Sequence, residues 1–136
     1  MSDGADYVGG LLPFRETAAA AAVVVSHGGS GGLYPAIAAG TPVLGIPSNA
    51  DQQLSTAFLK ASGAGLGVRV EEASERRLRR AIDLLIDDPR FRESAQHWKS
   101  IYARYDSGAL FQASLERALT REDRMTAIRA RAEPRA

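Results

Sequence analysis

The sequence contains no cysteine, only two histidines and no long hydrophobic run. Without cysteine the chain has no disulfide, no thiol nucleophile and no zinc–thiolate site. His27 and His97 lie far apart along the chain and form no metal-ligand pattern. The longest apolar run, residues 18–25, is far shorter than the roughly 20 residues that span a bilayer. We therefore expect neither a bound metal nor a membrane span.

Net charge is also nearly absent, because the formal value at pH 7 is +1. The chain therefore has no overall electrostatic field that would favour nucleic acid or a membrane surface as a partner. The first residues show no signal-peptide pattern of charged, apolar and small residues, which makes a cytoplasmic location the expectation. The 136 residues are enough for one ordinary domain with a buried core.

What the chain does contain is a β-branched apolar run followed by glycines, over residues 23–32. We call residues 27–32, with the sequence His-Gly-Gly-Ser-Gly-Gly, the glycine turn. Glycine has no Cβ, so successive backbone amides can converge on one point. Helical sequence follows up to Ala39. A strand, a glycine turn and a helix N-terminus together can bind an anion, usually phosphate, but the same pattern also fits a plain tight turn.

The loop that follows the next predicted strand supports the interpretation as an anion-binding site. Residues 40–42 end the helix, residues 43–46 predict a short buried strand, and Pro47 begins the loop that leads to Asp51 and Gln52. The ordered series resembles the donor-sugar signature of nucleotide-sugar-dependent glycosyltransferases: His27-Gly28-Gly29-x-Gly31, Ala36, Gly40-x-Pro42, Pro47 and Asp51-Gln52. The sequence is similar to the C-terminal, donor-binding domain of GT-B enzymes of the UDP-glycosyltransferase and antibiotic glycosyltransferase group.

The resemblance implies a role for each matching residue. Asp51 and Gln52 would hydrogen-bond the hydroxyls of the transferred sugar, and Leu12 and Pro13 would lie near the nucleotide base. The donor would be a UDP- or dTDP-sugar, bound without a cofactor. Its diphosphate would contact the residues of the glycine turn, which are His27, Gly28, Gly29, Ser30, Gly31 and Gly32.

Two positions depart from the family pattern. Gly32 stands where the family has a Thr or Ser hydroxyl, and Pro35 stands where it has the Glu that binds the ribose hydroxyls. Proline has no amide N–H and fits only the first turn of a helix. We therefore expect this helix to begin later than in relatives, over residues 33–39.

Each site residue also has a purely structural interpretation. His27 could be a buried turn histidine that bonds to the backbone. Asn49 or Asp51 could be the N-cap of a helix that begins near Gln52, because Asn49 and Gln52 have the spacing of a capping box.

The predicted fold is α/β, a Rossmann-like partial domain with a parallel sheet of about four strands, flanking helices and extra C-terminal helices. The predicted strands are residues 7–12, 23–26, 43–46 and 66–70. Helices are predicted at residues 16–22, 33–39 and 52–62, after the cap Ser74, from Phe91 and after Gly108. In the third of these, Leu54, Ala57, Phe58 and Ala61 share one face. Residues 1–119 would form the partial donor-binding domain, and residues 120–136 a polar, frayed tail.

No segment matches the acceptor domain of the resembled enzymes or their catalytic base. The predicted function is the nucleotide-sugar donor-binding portion of a glycosyltransferase that transfers a hexose with inversion, with no catalytic residue in this chain. The acceptor domain or subunit would be supplied from outside it. The alternatives are a degenerate, non-catalytic nucleotide-binding or structural module and one subunit of a split glycosyltransferase. An exposed sheet edge could also pair with a second copy.

Overall fold

A computed structural model describes residues 13–132, with side chains as far as residue 120. Among these, residues 13–103 form one compact unit and residues 104–132 form another. The elements in chain order are α1 (Phe14–Ala20), β1 (Val24–Ser26), α2 (Ser30–Ala39), β2 (Val43–Gly45), α3 (Ala50–Ala61), β3 (Gly65–Gly67), a 3₁₀ turn (Val70–Glu72), α4 (Glu75–Asp87), α5 (Pro89–Tyr102) and α6 (Ser107–Ala132).

The sheet is parallel, and its spatial order is β1-β2-β3. Val24 pairs with Val43, which in turn pairs with Gly65. The α/β prediction is confirmed, but the sheet has three strands within residues 13–132 rather than about four. The predicted strand at residues 7–12 lies outside the described residues. Parallel pairing places the carboxyl ends of all three strands on one edge, where folds of this type bind ligands.

The core has two layers, one on each face of the sheet. On one face Val43 packs under α2, α3 and α5, together with the buried side chains of Leu33, Ile37, Leu59 and Ala95. On the other face Leu44 packs against α4 through Ala81 and Leu85. Successive residues of a strand point to opposite faces, so the fully buried strand β2 contributes to both layers.

Glycines in β2 and β3 determine which side of α3 faces the sheet. A Cβ on Gly45 would lie 2.8 Å from Thr56 Oγ1, and one on Gly67 would overlap Thr56 Cγ2. The side of α3 that carries Thr56 and Leu59 therefore packs against the sheet, and both residues are buried. Leu54 and Phe58, which share the predicted apolar face, are 59% and 61% exposed. The predicted apolar stripe of this helix thus faces outward.

Helix α2 begins at Ser30, earlier than the predicted start at residue 33. Pro35 consequently lies inside the helix, so the expectation that it occupies the first turn is wrong. Since proline has no N–H, the carbonyl of Gly31 lacks the donor that residue 35 would otherwise supply. Gly40 ends the helix with φ of 81°, in the left-handed conformation expected there.

The later helices begin at side-chain caps. Ser74 Oγ accepts a hydrogen bond from the Arg77 amide at 3.4 Å, which confirms the predicted cap of α4. Asp88 caps α5 by accepting from the Arg90 amide at 3.1 Å. In the second compact unit, α6 runs continuously across the predicted boundary between residues 119 and 120. That division of the chain stays a prediction.

Arg92 of α5 binds three backbone carbonyls, which belong to two segments of the chain. Its guanidinium donates to the carbonyl oxygens of Gly40 at 3.3 Å, Ala21 at 3.4 Å and Ala22 at 2.6 Å. Gln96 Nε2 donates to the same Gly40 oxygen at 3.0 Å. These carbonyls belong to the ends of α1 and α2, so the two side chains fix how both helices meet α5.

Replacing Arg92 by alanine is expected to lower the free energy of unfolding by about 2–3 kcal/mol, because several charge-assisted hydrogen bonds are lost. Gln96→Ala removes one neutral bond to the same carbonyl and should cost about 1 kcal/mol. Urea unfolding followed by circular dichroism measures both variants. Equal losses in the two variants would contradict the special role given to the guanidinium.

Candidate functional site

The candidate site lies at the carboxyl edge of the sheet, where β1 leads into the glycine turn and β2 leads into α3. The Ile46 amide donates to the Ser26 carbonyl at 2.8 Å, which holds the two connections side by side. A Cβ built on Gly28 would lie 3.3 Å from the carbonyl oxygen of Gln52. The structure therefore brings together the two segments that the sequence predicts for diphosphate and sugar.

Two amides of the glycine turn are bonded to side chains two residues earlier in the sequence. Gly28 N donates to Ser26 Oγ, and Gly29 N donates to His27 Nδ1, both at 3.1 Å. Gly28 has φ of 79°, a left-handed conformation that residues with a Cβ rarely adopt. A Cβ there would overlap Thr56 Oγ1. Gly28 and Gly29 thus shape the turn, and in this conformation their amides already have acceptors.

The first turn of α2 supplies the amides that face outward. The Gly32 and Leu33 amides both donate to the Gly29 carbonyl, at 3.2 and 3.0 Å. Within the part of the chain that the structure describes, the Ser30 and Gly31 amides have no acceptor, and both residues are exposed. A Cβ on Gly31 would meet no atom within 4 Å. Open amides at the positive end of a helix dipole can bind an anion.

The hydrogen bond to His27 determines which ring nitrogen carries the proton. Because the Gly29 amide donates to Nδ1, that nitrogen is unprotonated and the neutral ring carries its proton on Nε2. The alternative interpretation is right that His27 bonds to the backbone, but the side chain is exposed rather than buried. Nε2–H therefore remains available as a donor to a ligand.

The start of α3 is held by its own polar side chains. Asn49 Oδ1 accepts from the Gln52 amide at 3.0 Å, which confirms the capping interpretation for Asn49 and not for Asp51. Gln52 Oε1 accepts from the amide and hydroxyl of Ser48, at 2.9 and 3.0 Å. Asp51 lies exposed in the first turn. The groups left to contact a ligand are the Asp51 carboxylate and the Gln52 NH₂ group.

The residues predicted near the nucleotide base are less well defined. Leu12 lies outside the described residues. Pro13 is the exposed N-cap residue of α1. Its proximity to a base stays a prediction.

Sequence reasoning missed Thr56, which lies under the site. Its side chain is 4% exposed, and its hydroxyl has no hydrogen-bond partner among the described residues. Thr56 also lines a cavity of about 190 Å³ that Lys60 and Arg69 border. No sequence motif indicates a role for this threonine. Its importance follows from its packing against Gly28, Gly45 and Gly67, which lie elsewhere in the sequence.

Neither a metal centre nor a membrane helix is found in the described part of the chain. Residues 13–120 contain no group of three or more His, Asp or Glu side chains that could hold a metal ion. None of the helices described is both long and apolar enough to cross a membrane.

A parallel sheet with a glycine turn at a helix N-terminus defines a Rossmann-like domain of the kind found at the C-terminus of GT-B glycosyltransferases. The chain belongs to the family described as "Erythromycin biosynthesis protein CIII-like, C-terminal domain", whose model matches residues 5–104. The predicted membership in this group of enzymes is confirmed.

Individual relatives are glycosyltransferases. A "PGL/p-HBAD biosynthesis rhamnosyltransferase" of Mycobacterium bovis (strain BCG / Pasteur 1173P2) is 34% identical over 113 residues, covering 83% of this chain and 25% of that protein. Human UDP-glucuronosyltransferase 2B15 is 40% identical over 78 residues, which are 57% of this chain and 15% of that protein. The crystal structure of glycosyltransferase VinC in complex with DTDP matches with 28% identity and a TM-score of 0.65, over 69% of this chain and 24% of that one. The chain thus spans a quarter or less of the length of these relatives.

Proposed function

We propose that this chain is the nucleotide-sugar donor-binding portion of a glycosyltransferase that transfers a hexose, with inversion, to an acceptor bound outside the chain. The observation that carries the proposal is the open N-terminus of α2. There the Ser30 and Gly31 amides have no acceptor among the described residues, and His27 is held as an Nε2–H donor beside them. The relatives support a nucleoside diphosphate as the anion, since one of them was solved in complex with DTDP.

In inverting transfer, an acceptor oxygen attacks the anomeric carbon while the bond from that carbon to the diphosphate breaks. Negative charge then grows on the leaving diphosphate. The amides of Ser30 and Gly31, the helix dipole and His27 Nε2–H would stabilise this charge without having to reorganise. The base that takes the acceptor proton would come from the part of the enzyme that binds the acceptor.

The start of α3 would orient the sugar. Ser48 donates two hydrogen bonds to Gln52 Oε1, which fixes the side-chain amide with its oxygen toward Ser48. The Gln52 NH₂ group can then act only as a donor to sugar oxygens, whereas the Asp51 carboxylate can act only as an acceptor. A donor and an acceptor side by side suit a pair of neighbouring hydroxyls.

Calorimetric titration with UDP and dTDP tests the proposal. We expect both to bind more tightly than uridine and thymidine, which lack the diphosphate. Gly31→Glu should weaken diphosphate binding by more than tenfold, because the carboxylate occupies the space in front of the amides and repels the anion. The fold should tolerate this change, since the space is empty and an acidic residue is favourable in the first turn of a helix.

Two matched variants complete this test. Gly31→Gln separates the effect of size from that of charge. Gly32→Ala should bind like the unmodified chain, because its Cβ would point toward Ser26, at an ordinary 3.6 Å from Ser26 Cβ. Equal UDP affinity in the unmodified chain and in folded Gly31→Glu would refute the assignment of the site.

Pro35 favours a second candidate, a domain that binds nucleotide without supporting transfer, because proline offers no carboxylate to the ribose hydroxyls. The chain alone is expected to release no nucleoside diphosphate in either case, so the two candidates differ in whether a protein that joins this domain to its acceptor-binding part releases it from UDP- and dTDP-sugars. Release that depends on an added alcohol acceptor would refute the second candidate.

A further inference from the structure

A separate cavity lies on the face of the sheet that α2, α3 and α5 cover. Its volume is about 370 Å³, and no residue of the glycine turn lines it. Leu33 and Leu59, each 1% exposed, form its apolar floor. The donor-binding proposal assigns this space no role.

Four aromatic side chains from three helices surround the cavity: Tyr34, Phe58, Trp98 and Tyr102. Trp98 is fixed in place because its Nε1–H donates to the Ser62 carbonyl at 3.0 Å. Tyr34 and Phe58 are 43% and 61% exposed, whereas Trp98 and Tyr102 are partly buried. The cavity therefore has two partly buried rings inside, of which Trp98 is anchored, and two accessible rings at its mouth.

The tyrosines add polar groups to this apolar space. Burial raises the pKa of the Tyr102 phenol, and the neighbouring Tyr34 raises it further. The Tyr102 phenol therefore stays protonated near neutral pH and can donate a hydrogen bond. A ligand that offers an oxygen acceptor would match it.

We propose that this cavity binds a small planar aromatic molecule that carries a hydroxyl or carbonyl oxygen. Its volume is at the lower end of the roughly 300–1,000 Å³ range of ligand pockets. An α-helix, at about 10 Å across, would not fit such a space. Aromatic rings bind one another in offset or edge-to-face geometries, so a lining of four rings favours an aromatic ligand over an aliphatic one.

Trp98 provides a direct measurement, because it is the only tryptophan in the sequence and lines the cavity. The probe is 7-hydroxycoumarin, a planar aromatic with a hydroxyl and a carbonyl that absorbs where tryptophan emits. We expect saturable quenching of Trp98 emission with one site per chain, and no response to cyclohexanol. Phe58→Ala should weaken binding at least fivefold and remain folded, since this ring is largely exposed.

Leu84→Ala is the matched control, because Leu84 is an exposed apolar residue of α4 on the opposite face of the sheet. Its affinity for the probe should equal that of the unmodified chain. Gly31→Glu should also bind the probe normally, which separates this cavity from the donor site. Three results would overturn the proposal: no saturation, equal affinity in Phe58→Ala and Leu84→Ala, or Trp98 emission that changes with protein concentration in the absence of probe. The last would show that a second copy covers the cavity.

Discussion

Replacing Gly28 by alanine is expected to lower the free energy of unfolding by about 2–5 kcal/mol. Two effects add at this position. The backbone has φ of 79°, which strains any residue with a Cβ. The new methyl group would also overlap Thr56 Oγ1 and lie 3.3 Å from the Gln52 carbonyl oxygen, in a buried part of the site. Urea unfolding followed by far-UV circular dichroism measures the loss.

A second substitution separates the two effects. Thr56→Ala removes the hydroxyl that the new methyl group would overlap. The double variant Gly28→Ala/Thr56→Ala should therefore regain the stability lost to this overlap, while the loss caused by backbone strain should remain. Gly32→Ala is the control in the same turn, and its stability should stay within about 1 kcal/mol of the unmodified chain. A Gly28→Ala protein as stable as the unmodified chain would contradict the geometry of the turn.

Pro35→Ala is expected to raise the free energy of unfolding by about 1–3 kcal/mol. Pro35 lies inside α2, and alanine would supply the missing N–H to the Gly31 carbonyl. Pro35→Glu should stabilise the helix in the same way. If the donor-binding proposal is correct, it should also tighten UDP binding by about 1–3 kcal/mol through hydrogen bonds from the ribose hydroxyls to the carboxylate.

Two comparisons show whether that gain comes from the ribose. Pro35→Gln has the same length without the charge, so its affinity for UDP should rise less than that of Pro35→Glu. For 2′-deoxy-UDP the gain in Pro35→Glu should largely disappear. Thermal unfolding and calorimetry give stability and affinity for each variant. A loss of stability in Pro35→Ala would instead mean that α2 depends on its proline.

Strands β1 and β2 and the caps of α3 and α4 could be predicted from sequence because their signals are local, whereas β3 covers Gly65–Gly67 rather than the predicted residues 66–70. The apolar runs at residues 23–26 and 43–46 end at the glycine turn and at Pro47, and β1 and β2 lie within them. Ser74 and Asn49 cap helices through bonds to amides three residues later. Each of these features depends on neighbours in the chain, so no tertiary information is needed.

The outward face of α3 could not be predicted, because it depends on other elements. Leu54 and Phe58 have the spacing of a buried stripe, yet the side of α3 that packs against the glycines of the sheet carries Thr56 and Leu59 instead. Within the glycine turn, the sequence shows which residues can adopt unusual φ angles but not which one does so. Gly28 is the residue of the turn with positive φ, and the Gly29 amide donates to the His27 ring.

The strand order β1-β2-β3 also bears on how the chain acquires its structure during synthesis. Paired residues such as Val24 and Val43, or Val43 and Gly65, are about 20 residues apart. Each strand pairs with the strand that precedes it in the sequence, so pairing does not require a distant part of the chain. Short sequence separation favours rapid folding. The sheet can thus assemble stepwise as the polypeptide leaves the ribosome, and Gly28 of the glycine turn gains its contacts once α3 has packed against it.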